Sequence, residues 1–391
     1  MTQETDRKQM LRCVIFTFFV SGATCQPIGS FIPFLRGAYG FSYDLSGILL
    51  SCQSIGNMFA VLAAGVLPYY LGRRKAVLLT AVWMAVAYLI FASGVGTPGV
   101  MITAFLMTGI AKGGNSNFSN TMVSTLPGES SAIGYNLIHG GYAIGAMLSP
   151  IILVLITGVW SENGWRIMAG LLAAISLAQV AVYSTMPIPE TGAKKGVAAI
   201  DRSFLKQPRY WLAMAMLFFY LSAENSIVGW QVTYFQDMGL LSDNFSQMMN
   251  SLLWLLMFAG RMCGAFLTKK MSREKILLTD GIGLCAFFLL MFFSRSSTPI
   301  IIGIIGVGFF MSTVFTTAFS YGSDCAKGND LGCSFLMLSG SLGGVITPAI
   351  VGLVAEKSGI AAGMGVVAAA TGMLLLSIVA SVLLNRRLKQ A

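Results

Sequence analysis

The chain has 391 residues, of which 55% are hydrophobic and only 10% are charged, and its mean hydropathy is +0.75. Ordinary soluble domains carry about 25% charged residues, so this composition excludes a soluble globular protein and indicates an integral membrane protein. The net charge of +10 is interpreted as membrane topology and contact with anionic lipid, not as a nucleic-acid-binding surface.

The apolar residues form stretches long enough to cross a bilayer, which takes about 20 residues in a helix. Alternating ten-residue segments, typical of a membrane β-barrel, are absent from the sequence. The N-terminal basic segment precedes an apolar run too long for a signal peptide, so this run is taken as the first span. The sequence therefore predicts an all-α membrane protein with twelve transmembrane helices, at residues 12–34, 45–71, 76–96, 99–125, 134–158, 165–186, 210–236, 244–269, 275–294, 299–323, 332–356 and 360–384.

The distribution of lysine and arginine predicts the orientation. With the N-terminus inside, most basic residues fall in cytoplasmic segments; Lys112 and Arg261 lie within spans, and only Arg36, Arg166, Arg295 and Lys357 fall outside. This asymmetry is the one that the positive-inside rule describes. We therefore expect a multi-pass protein of a bacterial-type cytoplasmic (inner) membrane with both termini in the cytoplasm.

The sequence repeats itself at an offset of 199 positions. The matches include Arg74 with Arg273, Gly109 with Gly308, Gly141 with Gly340 and Gly145 with Gly344. An even number of spans per copy gives both copies the same orientation, so they form two parallel six-helix repeats. The predicted domains are an N-terminal six-helix bundle at 1–186, a cytoplasmic linker at 187–209 and a C-terminal six-helix bundle at 210–391.

Four of the matched glycines have the spacing of a helix-packing motif. Gly141 and Gly145 in the fifth span, and Gly340 and Gly344 in the eleventh, are each four residues apart. This GxxxG spacing permits close approach of two helices in a membrane. We predict that these glycines serve static helix packing, a rocking (gating) motion of the helices, or both.

Glu224 and Lys112 are charges placed deep in predicted spans. Glu224 lies about 21 Å along the seventh span from its cytoplasmic start, at 1.5 Å per residue, and Lys112 lies near the middle of the fourth. Intramembrane charges are rare and tend to face a cavity or a partner, so each is a functional hypothesis. Glu224 is predicted to exchange a proton or bind the solute, or else to be a structural acid. Lys112 is predicted to hold an anionic group, to pair with Glu224 or to act in coupling, or else to snorkel to the interface.

Three further ionisable residues lie within spans. His139, the only histidine, is predicted to relay protons and contact the solute, or else to be a packing residue. Arg261 and Asp280, toward the cytoplasmic ends of the eighth and ninth spans, form a gate or a packing pair. One histidine and seven cysteines without paired spacing predict no metal site.

Several segments resemble the fucose permease branch of the major facilitator superfamily, also called the fucose–galactose–glucose:proton symporter family. They are FFYLSAENSIVGWQVTYF in the seventh span, GGNSNFSNTMVSTLPGESS with YNLIHGGYAIGAMLSP in the fourth and fifth, GFFMSTVFTTAFSYG in the tenth and LGGVITPAIVGLVAE in the eleventh. The resemblance implies the major facilitator fold, a cavity lined by spans 1, 4, 7 and 10, and a secondary transporter that often moves a sugar with a proton.

The resemblance also implies candidate residues. The loop GVLPYYLGRRK resembles the superfamily's loop motif and gives Arg73 and Arg74 a gating role, although Tyr69 stands at the acid position. Amides suit sugar hydroxyls and an aromatic face can stack on a sugar ring. With Lys112, Glu224 and His139, the predicted substrate-binding residues are Gln26, Asn115, Asn117, Asn120, Asn136, Asn225, Trp230, Gln231 and Phe315.

Two departures from the branch affect its coupling chemistry. Gly29 stands where the fucose permease has an acid in span 1, and Ser116 stands where it has one in span 4. Neither side chain can titrate, so fucose specificity is not carried over. Proton coupling is instead predicted at Glu224, Lys112 and His139.

We expect a secondary active transporter of a small polar solute, a sugar or sugar derivative that Lys112 favours as anionic, working by proton symport and alternating access. The alternatives are a proton-coupled exporter of drugs or metabolites, an uncoupled facilitator and a transporter-like sensor. The sequence has no phosphate-binding loop and no arrangement of nucleophile and base. It therefore predicts no enzyme and no cofactor, and a monomer whose partners are the solute, H+ and lipid but no nucleic acid.

Overall fold

The computed structural model describes residues 2–64, 67–126, 129–188, 203–267, 270–326 and 330–390. Part of the predicted linker, 189–202, therefore lies outside the described residues. The chain divides into two compact units, Met1–Lys194 and Lys195–Ala391. In the described ranges, all regular structure is helical.

The described residues of the first unit form eight α-helices. They are α1 (Thr2–Cys25), α2 (Ile28–Tyr39), α3 (Tyr43–Ala64), α4 (Leu67–Leu71), α5 (Arg73–Ser93), α6 (Pro98–Ser124), α7 (Glu129–Trp160) and α8 (Gly164–Thr185). The predicted first span is split into α1 and α2, and the predicted second span ends at Ala64, before the separate short helix α4.

In the second unit, the part of the chain that the structure describes forms seven α-helices. They are α9 (Pro208–Asp237), α10 (Asp243–Leu267), α11 (Arg273–Phe293), α12 (Ser297–Met311), α13 (Val314–Cys325), α14 (Asp330–Ser358) and α15 (Ile360–Gln390). The predicted tenth span is split into α12 and α13. With each split span counted once, every predicted span has its helix.

Ten helical segments of the described chain are long and apolar enough to cross a membrane. The remaining two predicted spans correspond to α6 and α10, which have 27 and 25 residues. Both are long enough to span but carry more polar side chains, among them Lys112 in α6 and Arg261 in α10. Polar residues in a spanning helix tend to face the protein interior or a water-filled cavity.

The two units repeat one order of helix packing. In the first unit, α1 packs along α7, α3 along α6, and α5 along both α6 and α8. In the second, α9 packs along α14, α10 along α12, and α11 along both α12 and α15. These are the same pairs when the spans of each unit are counted from one to six, as the 199-residue sequence repeat predicts.

Aromatic side chains fill the interior where α2 meets α5 and α8. The ring of Phe31, which is completely buried, lies 6.3 Å from Tyr88, 6.2 Å from Phe91 and 6.2 Å from Trp165. These edge-to-face contacts are the favoured geometry for aromatic pairs. They fix α2 against its neighbours, and so fix the direction in which the chain continues beyond the split in the first span.

Candidate functional site

The first span is interrupted at Gln26 and Pro27, between α1 and α2. Proline has no N–H, so it cannot bond the carbonyl of Ala23 one turn earlier. Side chains from three other helices bond the carbonyls before this break: Ser149 of α7 donates to Ala23 at 2.8 Å, Gln53 of α3 to Cys25 at 3.1 Å, and Tyr88 of α5 to Thr24. The break is therefore held by specific hydrogen bonds, which keep its polar backbone satisfied at membrane depth.

Lys112 belongs to α6, which packs on α1. Its side chain is half-buried, and its charge is near enough to act on the thiol of Cys25 at the end of α1. In the described part of the first unit, no carboxylate lies within the 4.0 Å of an ion pair with its ammonium group. Among the described residues, its positive charge therefore has no ion-pair partner in its own unit, and the role of holding an anionic group stays a prediction.

Gln26 and His139 both contact the interface between α1 and α7. Gln26 is buried and donates to the hydroxyl of Tyr142 at 2.5 Å. Phe18 of α1 packs against the exposed His139, with ring centroids 5.3 Å apart, and against Tyr142 at 6.0 Å. Tyr142 is therefore a link between the first break and α7 that the sequence did not indicate.

The predicted amides of the first unit have different environments. Asn115 is buried; it donates to the backbone oxygen of Thr17 at 3.3 Å and accepts from Gln179 at 3.1 Å and from Tyr183. Because both ends of this amide are bonded within the unit, its geometry is that of a packing residue tying α1, α6 and α8 together. Asn117 and Asn120 are half-buried on α6, while the side chain of Asn136 lies outside the described residues.

In the second unit, Glu224 and Asn225 of α9 are half-buried, and the residues of the next turns are buried except for the half-buried Val228. Trp230 donates to the backbone oxygen of Pro348 in α14 at 3.2 Å, and Gln231 donates to Asn250 in α10 at 3.0 Å. Both Trp230 and Gln231 are 0% exposed. In this conformation Trp230 and Gln231 are buried and bonded to other helices of their own unit. Glu224 and Asn225 are therefore the more accessible candidate substrate-binding residues on this helix.

The tenth span is interrupted at Ser312 and Thr313, between α12 and α13. The hydroxyl of Tyr220 on α9 donates to the backbone oxygen of Met311 at 3.0 Å, just before the break. Just after it, the hydroxyl of Thr313 donates to Asp280 on α11. Phe315 follows, with its ring 6.1 Å from that of Tyr220. Side chains from two other helices therefore hold both sides of this second break.

Tyr220 also connects the charged residues of this unit. Its hydroxyl is in side-chain hydrogen-bond contact with Glu224, and the charges of Arg261 and Asp280 act on it. Arg261 and Asp280 do not form a direct ion pair, because no pair of their charged atoms lies within 4.0 Å. Glu224 and the two members of the predicted pair, Arg261 and Asp280, thus all act electrostatically on one tyrosine that the sequence did not single out.

The predicted gating arginines lie at helix ends. Arg74 donates to the backbone oxygens of Ser184, of Met186 at 3.1 Å and of Tyr183 at 3.4 Å, at the C-terminal end of α8. A cation at this end of a helix is stabilised by the helix dipole. Arg73 is half-buried, and the side chain of Tyr69 lies outside the described residues. Arg273, the repeat partner of Arg74, is paired instead with Asp324.

The four predicted glycines lie where helices of one unit touch. A side chain at Gly141 would meet the backbone oxygen of Ile15 at 3.1 Å, and one at Gly145 would meet that of Phe19. In the second unit, Gly340 lies against Leu221 and Gly344 against the amide of Asn225. These contacts explain the spacing as close packing of α7 on α1 and of α14 on α9.

The sequence model of the Major Facilitator Superfamily matches residues 14–332. The chain belongs to this superfamily. An uncharacterised MFS-type transporter of Yersinia pestis is 24% identical over 370 residues, which cover 93% of this chain and 92% of that protein. As a member of this superfamily, the chain is a multi-pass membrane transporter.

Two solved structures of proton symporters share this fold. A D-xylose-proton symporter aligns with a TM-score of 0.75 and 12% identity, over 95% of this chain and 96% of its own. The fucose:proton symporter of E. coli aligns with a TM-score of 0.63 and 17% identity, over 96% and 98%. The predicted superfamily and fold are confirmed. At these low identities, the substrates of the two symporters are not assigned to this chain.

As a major facilitator protein, this chain has a distinctive feature on each of the spans that the family resemblance predicts to line the cavity. The first and tenth spans are broken, the fourth carries Lys112 and the seventh carries Glu224. Tyr142, Tyr220 and Asn250 are the partners that sequence reasoning missed. Only Tyr220 had a usable signal, since it precedes Glu224 by one helical turn on the same face.

Proposed function

We propose that this protein is a secondary transporter that takes up a small polar solute, a sugar or sugar derivative, by proton symport and alternating access. The observation that carries the proposal is the environment of Glu224. Its carboxyl is half-buried in a membrane span and contacts the hydroxyl of Tyr220, with the charges of Arg261 and Asp280 close to that hydroxyl. A carboxyl at membrane depth with such partners is a candidate proton carrier.

The solute class follows from the first unit. Lys112 supplies a positive charge beside the broken first span, and Gln26 lies at the break itself. An ammonium group attracts a carboxylate or phosphate, whereas an amide suits hydroxyls. A sugar acid or other anionic sugar derivative combines both groups. The D-xylose-proton symporter and the fucose:proton symporter share this fold, which supports the broader sugar class.

The decisive experiment measures uptake of labelled sugars and sugar acids into proteoliposomes with and without an imposed proton gradient. Solutes are chosen first by whether they raise the melting temperature of the purified protein, because a ligand that binds the folded state stabilises it. We expect the gradient to drive accumulation by the intact protein. Glu224→Gln keeps the shape of the side chain but cannot release a proton, so it should only equilibrate the solute.

Glu356→Gln is the matched control, because Glu356 is an exposed carboxyl near the end of α14. It should accumulate solute like the intact protein. If the intact protein merely equilibrates every solute, proton symport is wrong, and the protein is either a facilitator, as the missing acids at Gly29 and Ser116 would allow, or is coupled to another ion. If an inward proton gradient instead drives solute out, the protein is an exporter.

The proposed placement is the cytoplasmic membrane, as a monomer, with both termini inside. Green fluorescent protein fused to the C-terminus should fluoresce in intact bacteria, because it folds only in the cytoplasm. Alkaline phosphatase fused at the same point should be inactive, since it needs the oxidising side of the membrane. The reverse pair of results would contradict the orientation predicted from the basic residues.

A further inference from the structure

The hydroxyl of Tyr220 stands between a titratable carboxyl and a helix break. The side chain is buried, and the hydroxyl donates to the backbone oxygen of Met311 at 3.0 Å. The same hydroxyl is in hydrogen-bond contact with Glu224, one turn further along α9. Met311 is the last residue of α12, and the carbonyls at a helix end lack partners within the helix.

A phenolic hydroxyl has one proton and can donate one hydrogen bond. If Glu224 is protonated, its own O–H donates to the tyrosine oxygen, and Tyr220 remains free to donate to Met311. If Glu224 is ionised, it can only accept, and it competes with Met311 for the tyrosine proton. A hydrogen bond to a charged acceptor is about twice as strong as one between neutral groups, so the carboxylate wins this competition.

We propose that Tyr220 is a positioning residue that transmits the protonation state of Glu224 to the break in the tenth span. When Glu224 is protonated, Tyr220 keeps its hydrogen bond to the backbone oxygen of Met311 at the end of α12. When Glu224 is ionised, Tyr220 donates to the carboxylate instead, and the hydrogen bond to Met311 is lost. The inference rests on the proposed function in that Glu224 is the group that gains and loses the transported proton. It adds the route by which that proton alters the helices.

The other charged groups around Tyr220 come from two helices. Arg261 of α10 and Asp280 of α11 both act on its hydroxyl. Asp280 accepts a hydrogen bond from Thr313, so it holds the far side of the same break. The central turns of α14 and α15, which also pack on α9, contain no ionisable residue. Because Asp280 is a second carboxyl near the same break, an experiment at different pH values must distinguish its protonation from that of Glu224.

The test is hydrogen exchange at the backbone amides of residues 312–316 in the purified full-length protein, at about pH 5 and about pH 9, which bracket carboxyl titration. Tyr220→Phe keeps the ring and removes the hydroxyl, and comparing the two proteins at one pH cancels the chemical pH dependence of exchange. At low pH the intact protein should exchange more slowly than the variant by about threefold to tenfold, the effect of one hydrogen bond. At high pH this difference should vanish.

Two more variants assign the effect. In Glu224→Gln the amide can donate to Tyr220 at any pH, so exchange should be slow at both values. In Asp280→Asn the pH-dependent difference should persist. The inference is overturned if the ratio of the exchange rates of the intact protein and Tyr220→Phe does not change with pH. It is also overturned if Asp280→Asn abolishes the pH effect and Glu224→Gln does not. The measurement needs no gradient and no solute, so its outcome is independent of whether transport proves to be proton-coupled.

Discussion

Gly145→Ala is expected to destabilise the first unit and to abolish transport. A Cβ at this position would meet the backbone oxygen of Phe19, with the backbone nitrogen of Ala23 only 2.8 Å away. These are backbone atoms of α1 and cannot rotate aside, so the two helices must separate. Overpacking of this kind costs about 1–3 kcal/mol. The fall in melting temperature of the purified protein, followed by intrinsic fluorescence, measures the effect.

Gly158→Ala is the matched control on the same helix. Gly158 is exposed, and a Cβ there would meet nothing within 4 Å. Alanine is the better helix former, so this variant should be as stable as the intact protein or slightly more so. If Gly145→Ala is equally harmless, α7 does not pack on α1 as closely as described, and Gly145 has no special role in the helix contact.

The fold was predictable because two strong signals agree. Long apolar stretches give the number of helices, and the 199-residue repeat gives their grouping into two sixfold sets. The limits of the helices were less predictable. Pro27 is a visible helix breaker, yet the apolar run from 12 to 34 hides it, and no proline or glycine pair marks the break at Ser312 and Thr313. Hydropathy measures whether a segment can enter a membrane and is insensitive to one interrupted turn.

The candidate site was predictable only in its charges. Lys112 and Glu224 stand out because an ionisable residue in an apolar span is costly. The surrounding amides do not stand out in that way, since an amide serves equally well as a solute contact or as internal packing. Asn115, Trp230 and Gln231 have the right chemistry, but the structure bonds each of them to its own unit. Tyr220 was overlooked because a tyrosine beside phenylalanines looks like an apolar core residue.

Lys112→Met is expected to weaken the binding of anionic solutes and to leave the binding of neutral solutes nearly unchanged. Methionine keeps the length of the side chain and removes its charge, so an anionic sugar derivative should bind about 30-fold more weakly or worse, the effect of losing one partner of a desolvated charge pair. A neutral sugar of the same ring should bind about as before, because its hydroxyls do not need the ammonium group. Competition against a labelled solute in proteoliposomes gives both affinities.

Lys75→Met is the control for a general effect of charge, because Lys75 is exposed at the start of α5. It should leave both affinities unchanged. Lys112→Arg should keep most of the preference for anions while weakening binding, since arginine retains the charge but presents a wider group. If Lys112→Met weakens neutral and anionic solutes equally, the charge does not select the solute. Lys112 would then act on the first break itself, where its charge reaches Cys25.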